Sequence, residues 1–323
     1  MDYACEFRLY IFYVVNWQIT FKMATLTIFT PAYNRAHTIG RTYESLCQQT
    51  CKDFEWLIVD DGSQDNTREL VEGWIAESII PIRYIYQQNQ GMHGAHNTAY
   101  RNITTELNTC IDSDDYMPDD AVEKIITFWG THGSNKYAGL VGLDIDDQHK
   151  QIIGKAFPEG LTETTLSGYY AAGGSGDKKL VYRTEVINSY PEYPIFEGER
   201  YVGLAYKYML IDQDYKLLTT NEPLVVVDYQ CDGSSASMYR QYWNNPKGFA
   251  FYRKTEMVYA PTLKRRFISC IHYVASSFIC KNKRFIIESP RPFLTTIAIP
   301  LGYIWYLYKK FKIKTNATYK IKQ

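Results

Sequence analysis

The 323-residue chain has no net charge, little cysteine and no very long uncharged run, and each of these shortages excludes a class of protein. Its 35 Lys and Arg equal its 35 Asp and Glu in number, which excludes a uniformly basic nucleic-acid binder. Charged residues make up 22% of the chain and hydrophobic residues 46%, so a disordered or fibrous chain is excluded too. The length suits one α/β domain of about 230–250 residues with an appendage. Aromatic residues are abundant (29 Tyr, 15 Phe and 6 Trp), which is typical of surfaces that stack sugars or lie at a membrane interface.

The seven cysteines are too few and too irregularly spaced to form a stabilising framework. Their number is odd and no C-x-x-C pair occurs, which excludes a disulfide framework and a zinc site of the usual spacing. We therefore expect reduced, mostly buried thiols in a cytoplasmic protein. The residues concerned are Cys5, Cys47, Cys51, Cys110, Cys231, Cys270 and Cys280.

The first 22 residues lack the features of a secretory signal. They include an apolar run at residues 9–17, but they have neither a basic start nor a small-residue cleavage site. Met23 lies directly before a strand-like segment, so we expect residues 1–22 to be an extension that comes from a mis-assigned upstream start codon. An interfacial membrane anchor is the alternative for this extension.

The absence of net charge conceals an uneven distribution. From residue 253 onward the chain has 15 Lys and Arg against two acidic residues, a net charge of +13, so residues 1–252 carry −13. The basic part contains two apolar segments, 267–280 and 293–308. As a helix, the second segment reaches about 24 Å, short of a ~30 Å hydrocarbon core, and we expect Pro300 and Gly302 to interrupt it. We expect residues 256–323 to form interfacial or re-entrant helices at an anionic membrane, with a true span less favoured and core helices packed on the domain as the alternative.

From residue 24 the chain alternates strand-like and helix-like segments. We expect strands at 26–30, 54–59, 82–86 and 109–111, and helices at 37–49, 65–77, 91–102 and 121–129. Such βαβ alternation predicts a mostly parallel sheet that binds ligands at the carboxyl ends of its strands. After about residue 140 the pattern loosens, with further strands expected at 139–143, 180–182 and 224–229.

The strongest chemical signal follows the fourth strand, in the sequence Ile111-Asp112-Ser113-Asp114-Asp115. Carboxylates two residues apart can converge on one divalent cation, and such hard oxygen ligands suit Mg²⁺ or Mn²⁺. A metal there would hold a diphosphate and stabilise the charge that builds on it as it leaves. For this motif alone, a solvated acidic turn is the alternative.

Two further motifs follow the first and second strands: TPAYN at residues 30–34 and VDDGS at residues 59–63. A tyrosine ring and an Asp carboxylate at adjacent strand ends could stack a nucleobase and accept its imide N–H, which uracil offers. Asp65, a little further along, is expected to cap the next helix.

Together, four motifs closely resemble the pattern of glycosyltransferase family 2, the inverting enzymes with the GT-A fold. They are TPAYN, VDDGSQDNT, NQGMHGAHNTA and CIDSDDYMPDDA, and they cover about residues 24–130. The resemblance implies an α/β fold with a Rossmann-like mixed sheet and helices on both faces, a nucleotide-sugar donor (a UDP-sugar is favoured), Mn²⁺ or Mg²⁺, and inversion at the anomeric carbon. It further implies synthesis of surface polysaccharide at the cytoplasmic face of a bacterial membrane, with a polyprenyl-linked saccharide or glycan as acceptor and no nucleic acid as partner.

Motif matching then implies roles for individual residues. Residues 23–135 would be the nucleotide-sugar-binding half and residues 136–255 the acceptor-binding half. His96 would supply part of the positive charge that relatives carry as Lys or Arg near the diphosphate, whereas His93 and His96 are disfavoured as a metal pair. The donor would be held by Pro31, Tyr33, Asn34, Asp60, Asp61, His96 and Asp112, and the metal by Asp114 and Asp112.

Inversion also needs a general base that takes the acceptor hydroxyl proton. The best local candidate is the segment FEGER at residues 196–200, in which we favour Glu199 over Glu197; Asp232 is a lesser candidate. An ion pair of Glu199 with Arg200 or Lys207 on a solvated face is the alternative.

Two other polar segments in the second half carry weaker expectations. Asp212 and Asp214 resemble a second acidic pair, but we expect them to lie in an ordinary turn. Residues 176–179 precede a strand and could meet the acceptor or its phosphate.

Two other functions remain open from the sequence. A nucleotidyltransferase uses a similar α/β layout, but it would need a basic, Gly-rich phosphate loop after the first strand, and TPAYNRAHT is a poor substitute. A non-catalytic partner subunit that binds nucleotide sugar without turnover is the other alternative.

Overall fold

The computed structural model describes residues 24–228 and 238–320. The expectations for residues 1–22, for Cys5 and Cys231, and for Asp232 as a base lie outside the described residues.

Strands and helices alternate through the first half of the chain, as the sequence predicts. Each expected strand and helix is present, with ends that differ by a few residues at most. The elements are β1 (Leu26–Ala32), α1 (Ile39–Gln48), β2 (Phe54–Asp60), α2 (Thr67–Glu77), β3 (Ile82–Tyr86), α3 (Met92–Asn102), β4 (Leu107–Cys110) and α4 (Ala121–His132).

The second half has longer strands than the sequence suggests, separated by short helices. Its elements are β5 (Tyr137–Asp146), β6 (Glu163–Thr164), α5 (Leu166–Ala171), β7 (Lys178–Arg183), α6 (Thr184–Ser189), α7 (Ala205–Ile211), β8 (Lys216–Val227), α8 (Met238–Asn244) and α9 (Pro246–Tyr259). Two helices follow, α10 (Leu263–Ile279) and α11 (Pro292–Lys320). The expected boundary at residue 255 falls inside α9.

One mixed sheet of eight strands joins the two halves, in the order β3-β2-β1-β4-β7-β5-β8-β6. The first four strands in this order are mutually parallel. Strand β7 is antiparallel to both of its neighbours, β4 and β5. Because β7 lies beside β4, it brings residues of the second half next to the acidic motif.

Alternating side chains along the central strands divide the core into two layers, one on each face of the sheet. On β1, Ile28 faces one layer and Phe29 the other, and on β2, Trp56 and Leu57 divide in the same way. Helices α1, α2 and α4 cover the first layer, whereas α3, α6 and α7 cover the second. The expected mixed sheet with helices on both faces is confirmed.

The expectation that Pro300 and Gly302 interrupt the last helix is wrong, because α11 runs through both residues. Pro300 and Thr296, the residue whose carbonyl loses its helical partner, are exposed, so water can satisfy that carbonyl. Gly302 is buried where α11 meets α10, and a Cβ atom there would lie 2.5 Å from side-chain atoms of Val274. Among the described residues, no helix is long and apolar enough to cross a membrane.

The described cysteines are free thiols: Cys47, Cys51, Cys110, Cys270 and Cys280. Of these five, Cys270 is buried and the others are half-buried, so the thiols are less buried than expected.

Candidate active site

The candidate site lies at the carboxyl ends of β2, β1 and β4, which are neighbours in the sheet. Strand β1 pairs in parallel with both β2 and β4, so the loops that follow the three strands leave the sheet at the same edge. These loops, residues 33–38, 61–66 and 111–120, contain polar residues of three of the four motifs. The expectation that these three motifs lie at the carboxyl ends of the strands is therefore confirmed.

Asp60 and Asp61 are buried at the end of β2, and protein groups already donate to their oxygens. Asp60 accepts the backbone N–H of Ser63 at 2.7 Å and the Tyr84 hydroxyl at 2.6 Å. Asp61 accepts the Gln87 amide at 2.6 Å and the backbone N–H groups of residues 90 and 91 at 2.8 and 2.7 Å. The two carboxylates thus order the loop after β2 and the start of α3, and their contact with a donor stays a prediction.

The loop after β1 holds Tyr33 outward and Asn34 inward. The Tyr33 side chain is 47% exposed, so its ring is accessible to a nucleobase. Asn34 has a φ of +54° and connects two loops, because its N–H donates to Ser63 at 2.8 Å and its side-chain oxygen accepts from Gln64 at 2.7 Å. Pro31 is buried within β1, opposite Val59.

Three carboxylates converge after β4, namely those of Asp112, Asp114 and Asp115, with oxygen atoms within 4.8 Å of one another. The expected pair is therefore a trio, because the sequence expectation omitted Asp115. Asp115 is buried and accepts the backbone N–H of Asp228 at 3.1 Å. Burial, and then the charge of Asp112, raises the pKa of Asp115 to about 8, and the pKa of Asp114 is raised for the same two reasons.

Lys179 on β7 is the cation next to this acidic trio. Its ammonium group donates to the Cys110 carbonyl at 2.9 Å, at the end of β4. Although burial lowers the pKa of Lys179, the negative charges around it, including those of Asp144, Asp112 and Asp115, outweigh burial and raise that pKa. Sequence reasoning placed residues 176–179 near the acceptor but missed the position of Lys179 beside the acidic trio, because the pairing of β7 with β4 joins positions about 70 residues apart, for which no local pattern exists.

The acidic trio fits a hard divalent cation. Carboxylate oxygens are the ligands that Mg²⁺ and Mn²⁺ prefer, and crowded carboxylates gain stability when a cation neutralises them. The pKa values of Asp114 and Asp115 are raised first by burial and then by the charge of Asp112, and a bound cation would offset both effects. Within residues 24–228 and 238–320, no other group of three or more metal-ligating side chains converges in this way.

A family model for glycosyl transferase family 2 matches residues 27–171, which include β1 to β4, all four motifs and the acidic trio. Over these residues, a little under half of the chain, the sequence matches glycosyltransferase family 2. The resemblance seen in the motifs is thereby confirmed.

Curated relatives are similar to only part of this chain. An uncharacterized glycosyltransferase of Nostoc sp. is 30% identical over 177 residues, which cover 53% of this chain and 54% of the relative. The chondroitin synthase of Escherichia coli is 38% identical over 102 residues (32% of this chain, 15% of the synthase), and the hyaluronan synthase of Pasteurella multocida is 35% identical over 102 residues (32% and 10%). The chain thus spans about half the length of the first relative and far less of the two synthases.

Solved structures agree with the fold over most of the chain. Residues 1–349 of TarS from S. aureus, in complex with UDP-GlcNAc, superpose with a TM-score of 0.56 at 15% identity, covering 90% of this chain and 92% of that one. The mannosyltransferase PcManGT from Pyrobaculum calidifontis, in complex with GDP-Man and Mn²⁺, gives 0.54 at 15%, with 88% of each chain covered. At this identity the likeness concerns the fold alone, and it confirms the GT-A-like sheet.

The expectation that His96 supplies positive charge in the family 2 domain is wrong. His96 is buried against Phe29, Tyr100 and Tyr193, and its ring nitrogen lies 3.2 Å from the Tyr100 hydroxyl. Burial lowers its pKa to about 3, so the ring is neutral at physiological pH. His93 is also buried, with a pKa lowered to about 4, and neither histidine joins a cluster of metal ligands among the described residues.

Two arginines, rather than the histidines, bring positive charge to the family 2 motifs. The charge of Arg35, in the loop after β1, lowers the pKa of Asp114 against the larger effects of burial and Asp112. The charge of Arg200 lowers the pKa of Asp61 against the larger effect of burial, and it lowers the pKa of His93 together with burial. The Arg200 backbone packs against α3, because a Cβ atom on Gly91 would lie 2.1 Å from the Arg200 carbonyl oxygen.

Glu199 has a structural contact that sequence reasoning missed. It is buried, and its two oxygens accept the backbone N–H groups of Lys247 at 3.0 Å and Gly248 at 2.8 Å, in the first turn of α9. The alternative of a solvated ion pair is wrong, since Lys207 donates instead to the carbonyls of residues 187 and 190. Glu197 is exposed, and the role of either carboxylate as base stays a prediction.

Three other polar side chains of the second half make structural contacts. Asp212 accepts the backbone N–H groups of Leu166 at 3.1 Å and Ser167 at 2.7 Å, at the start of α5. Asp214 accepts the Tyr190 hydroxyl at 2.7 Å, and residues 212–214 form a turn, so the expectation of an ordinary turn is confirmed. The Lys178 ammonium is held by nearby backbone carbonyls, those of residues 153, 175 and 177 at 3.0–3.1 Å.

Proposed function

We propose that the protein is an inverting glycosyltransferase that moves a sugar from a nucleotide-diphosphate donor, with a UDP-sugar favoured, to a lipid-linked or glycan acceptor. The acidic trio at the end of β4, inside the family 2 domain, is the observation that carries this proposal. The chondroitin and hyaluronan synthases among the relatives support polysaccharide as the product class. The UDP-GlcNAc complex of TarS supports the donor class.

The donor would lie across the three strand ends. Tyr33 would stack on the base and Asp61 would accept its imide N–H, whereas Asp112 and Asp114 would hold Mn²⁺ or Mg²⁺. A bound metal would neutralise the charge of the leaving diphosphate. The positive charge of Lys179 would stabilise the crowded carboxylates. The hydrogen bond from its ammonium to the Cys110 carbonyl, two residues before Asp112, supports this role.

The acceptor would meet the donor from the side of the second half. Inversion requires a carboxylate that takes the acceptor hydroxyl proton, and Glu199, Glu197 and Asp232 are the candidates. Glutamine at 199 or 197, or asparagine at 232, would abolish transfer while donor binding persists if that residue is the base. If none of the three substitutions abolishes transfer, the base must be a different residue.

We further propose that the reaction takes place at the cytoplasmic face of a bacterial cell membrane, in surface polysaccharide synthesis. Free thiols among the described cysteines and the bacterial sources of the two synthases support this location.

The test is transfer, and donor hydrolysis without acceptor, measured over a panel of UDP- and GDP-sugars with Mn²⁺. Asp114→Ala should abolish both activities and weaken Mn²⁺ binding measured by calorimetry. Asp119→Ala is the matched control, because Asp119 is an exposed carboxylate in the same loop and outside the trio. Full activity of Asp114→Ala, or equal losses in the two variants, would contradict the metal assignment.

A subunit that binds nucleotide sugar without turnover is the second candidate function. The observation in its favour is that both oxygens of Glu199 already accept hydrogen bonds from α9. Calorimetric binding of UDP-sugar together with no transfer to any lipid or glycan acceptor would support that candidate over the first.

A further inference from the structure

One face of α11 is apolar and exposed to solvent along about five helical turns. Its residues follow one another at intervals of three or four, which places them on the same side of a helix. Their side chains are 39–77% exposed. This α11 stripe consists of Phe293, Ile297, Leu301, Ile304, Tyr308 and Phe311.

The opposite face of α11 packs on the protein and fixes the direction of the stripe. Thr295, Ala298, Gly302 and Lys309 are buried, again at helical spacing. The close approach at Gly302 leaves no room for α11 to rotate about its axis, because a side chain there would collide with Val274 of α10. A helix that packs by one face normally presents polar residues on the other, so the exposed stripe indicates a surface for a partner.

The charges around the stripe are all of one sign along the helix. Helix α11 contains five lysines and no acidic residue. Exposed cations lie near both ends of the stripe in the sequence, namely Lys281, Lys283 and Arg284 before it and Lys310 next to its last residue. An apolar stripe bordered by cations is complementary to an anionic lipid surface, which offers acyl chains beneath negative headgroups.

We propose that the α11 stripe docks on an anionic membrane surface, with α11 lying in the plane of the interface. This inference rests on the membrane location in the proposed function and deepens it by naming the surface. A second copy of the chain is a poorer occupant, because two stripes face to face would bring their lysines together. A span is a poorer reading too, since no described helix has the length and hydropathy for one.

The experiment measures binding of the full chain to phosphatidylcholine vesicles, with and without phosphatidylglycerol, by co-sedimentation. The stripe variant is Ile297→Gln/Ile304→Gln/Phe311→Gln. The matched control is Leu70→Gln/Ile79→Gln/Ile152→Gln, which replaces three apolar side chains that are 37–58% exposed elsewhere. We expect the wild type and the control to bind anionic vesicles equally, and the stripe variant to bind at least about tenfold more weakly.

The cations are tested separately by Lys283→Glu/Lys310→Glu. This variant leaves the apolar stripe intact, so it should lose the preference for phosphatidylglycerol and the sensitivity to added salt. If the stripe variant fails to fold, the charge variant still decides the matter. A wild type that ignores anionic lipid overturns the proposal.

Two results would give the stripe another function or assign membrane binding to another segment. A wild-type dimer in light scattering that becomes a monomer in the stripe variant, with vesicle binding unchanged, would make the stripe a contact between copies. A chain that begins at Met23 and no longer binds, while the full-length stripe variant still does, would assign the binding to residues 1–22. Donor hydrolysis, which needs no membrane, should persist in the stripe variant, so failure here is distinguishable from failure of the proposed reaction.

Discussion

Replacing Glu199 with alanine should destabilise the protein, because its carboxylate holds the first turn of α9. Both acceptor contacts are lost in Glu199→Ala, and the freed N–H groups of Lys247 and Gly248 stay at a site where Glu199 is buried. A hydrogen bond to a charged group contributes roughly 1.5–3 kcal/mol, and loss of a helix cap costs about 0.5–2 kcal/mol. We therefore expect the free energy of unfolding to fall by about 2–4 kcal/mol.

Urea unfolding followed by circular dichroism at neutral pH measures this change. Glu199→Gln keeps one acceptor oxygen and should lose an intermediate amount of stability. Glu197→Ala, two residues away and exposed, should stay within about 0.5 kcal/mol of the wild type. The reasoning is refuted if Glu199→Ala unfolds with the wild-type midpoint and slope.

Transfer activity, measured on the same variants, separates a structural role from a chemical one. If Glu199 only holds α9, Glu199→Gln should lose activity in proportion to its unfolded fraction. If it is also the base, Glu199→Gln should be inactive while folded and should still bind UDP-sugar.

Three further perturbations test other parts of the structure. Gly91→Ala should cost more than about 1 kcal/mol of stability and displace the Arg200 segment, since Gly91 has a φ of +81° and no room for a Cβ atom; a wild-type melting temperature would contradict this. Burial lowers the pKa of His93 to about 4, so its neutral form stabilises the fold above pH 6.5 and this contribution is lost as the pH falls towards 4. In His93→Leu the melting temperature should therefore depend less on pH between 6.5 and 4. Burial raises the pKa of Asp144 to about 6, so its ionisation costs stability as the pH rises from about 4 to 6; Asp144→Asn should gain up to about 3 kcal/mol at pH 7 and nothing at pH 4, and equal gains at both would refute the titration.

The first half of the fold and the position of the site were predictable from local pattern. Each motif directly follows a strand of alternating or apolar residues, so placing the strands also places Tyr33, Asp61 and the acidic trio. Parallel pairing of β1 with β2 and β4 then needs no information beyond the regular alternation.

Side-chain direction and long-range pairing were not predictable. The family resemblance implied a positive charge at His96, but the sequence does not show that the His96 ring points into the core beside Tyr100. Lys179 reaches the acidic trio only because β7 inserts antiparallel beside β4, and Glu199 meets α9 across 48 positions. Gly302 reads as a helix breaker until its contact with Val274 shows why glycine is required there.

The contacts of Glu199 with α9 affect the position of the candidate site relative to the α11 stripe as well as the stability of the fold. Helix α9 packs along α10, and α10 along α11, so the segment around Arg200 and the α11 stripe belong to one continuously packed body. With the stripe at a bilayer surface, the strand ends would stand at a fixed distance above the headgroups instead of swinging on a tether. Such an enzyme would select acceptors by length. It would extend acceptors whose growing end lies at that distance from the membrane, and it would extend shorter or longer chains less often.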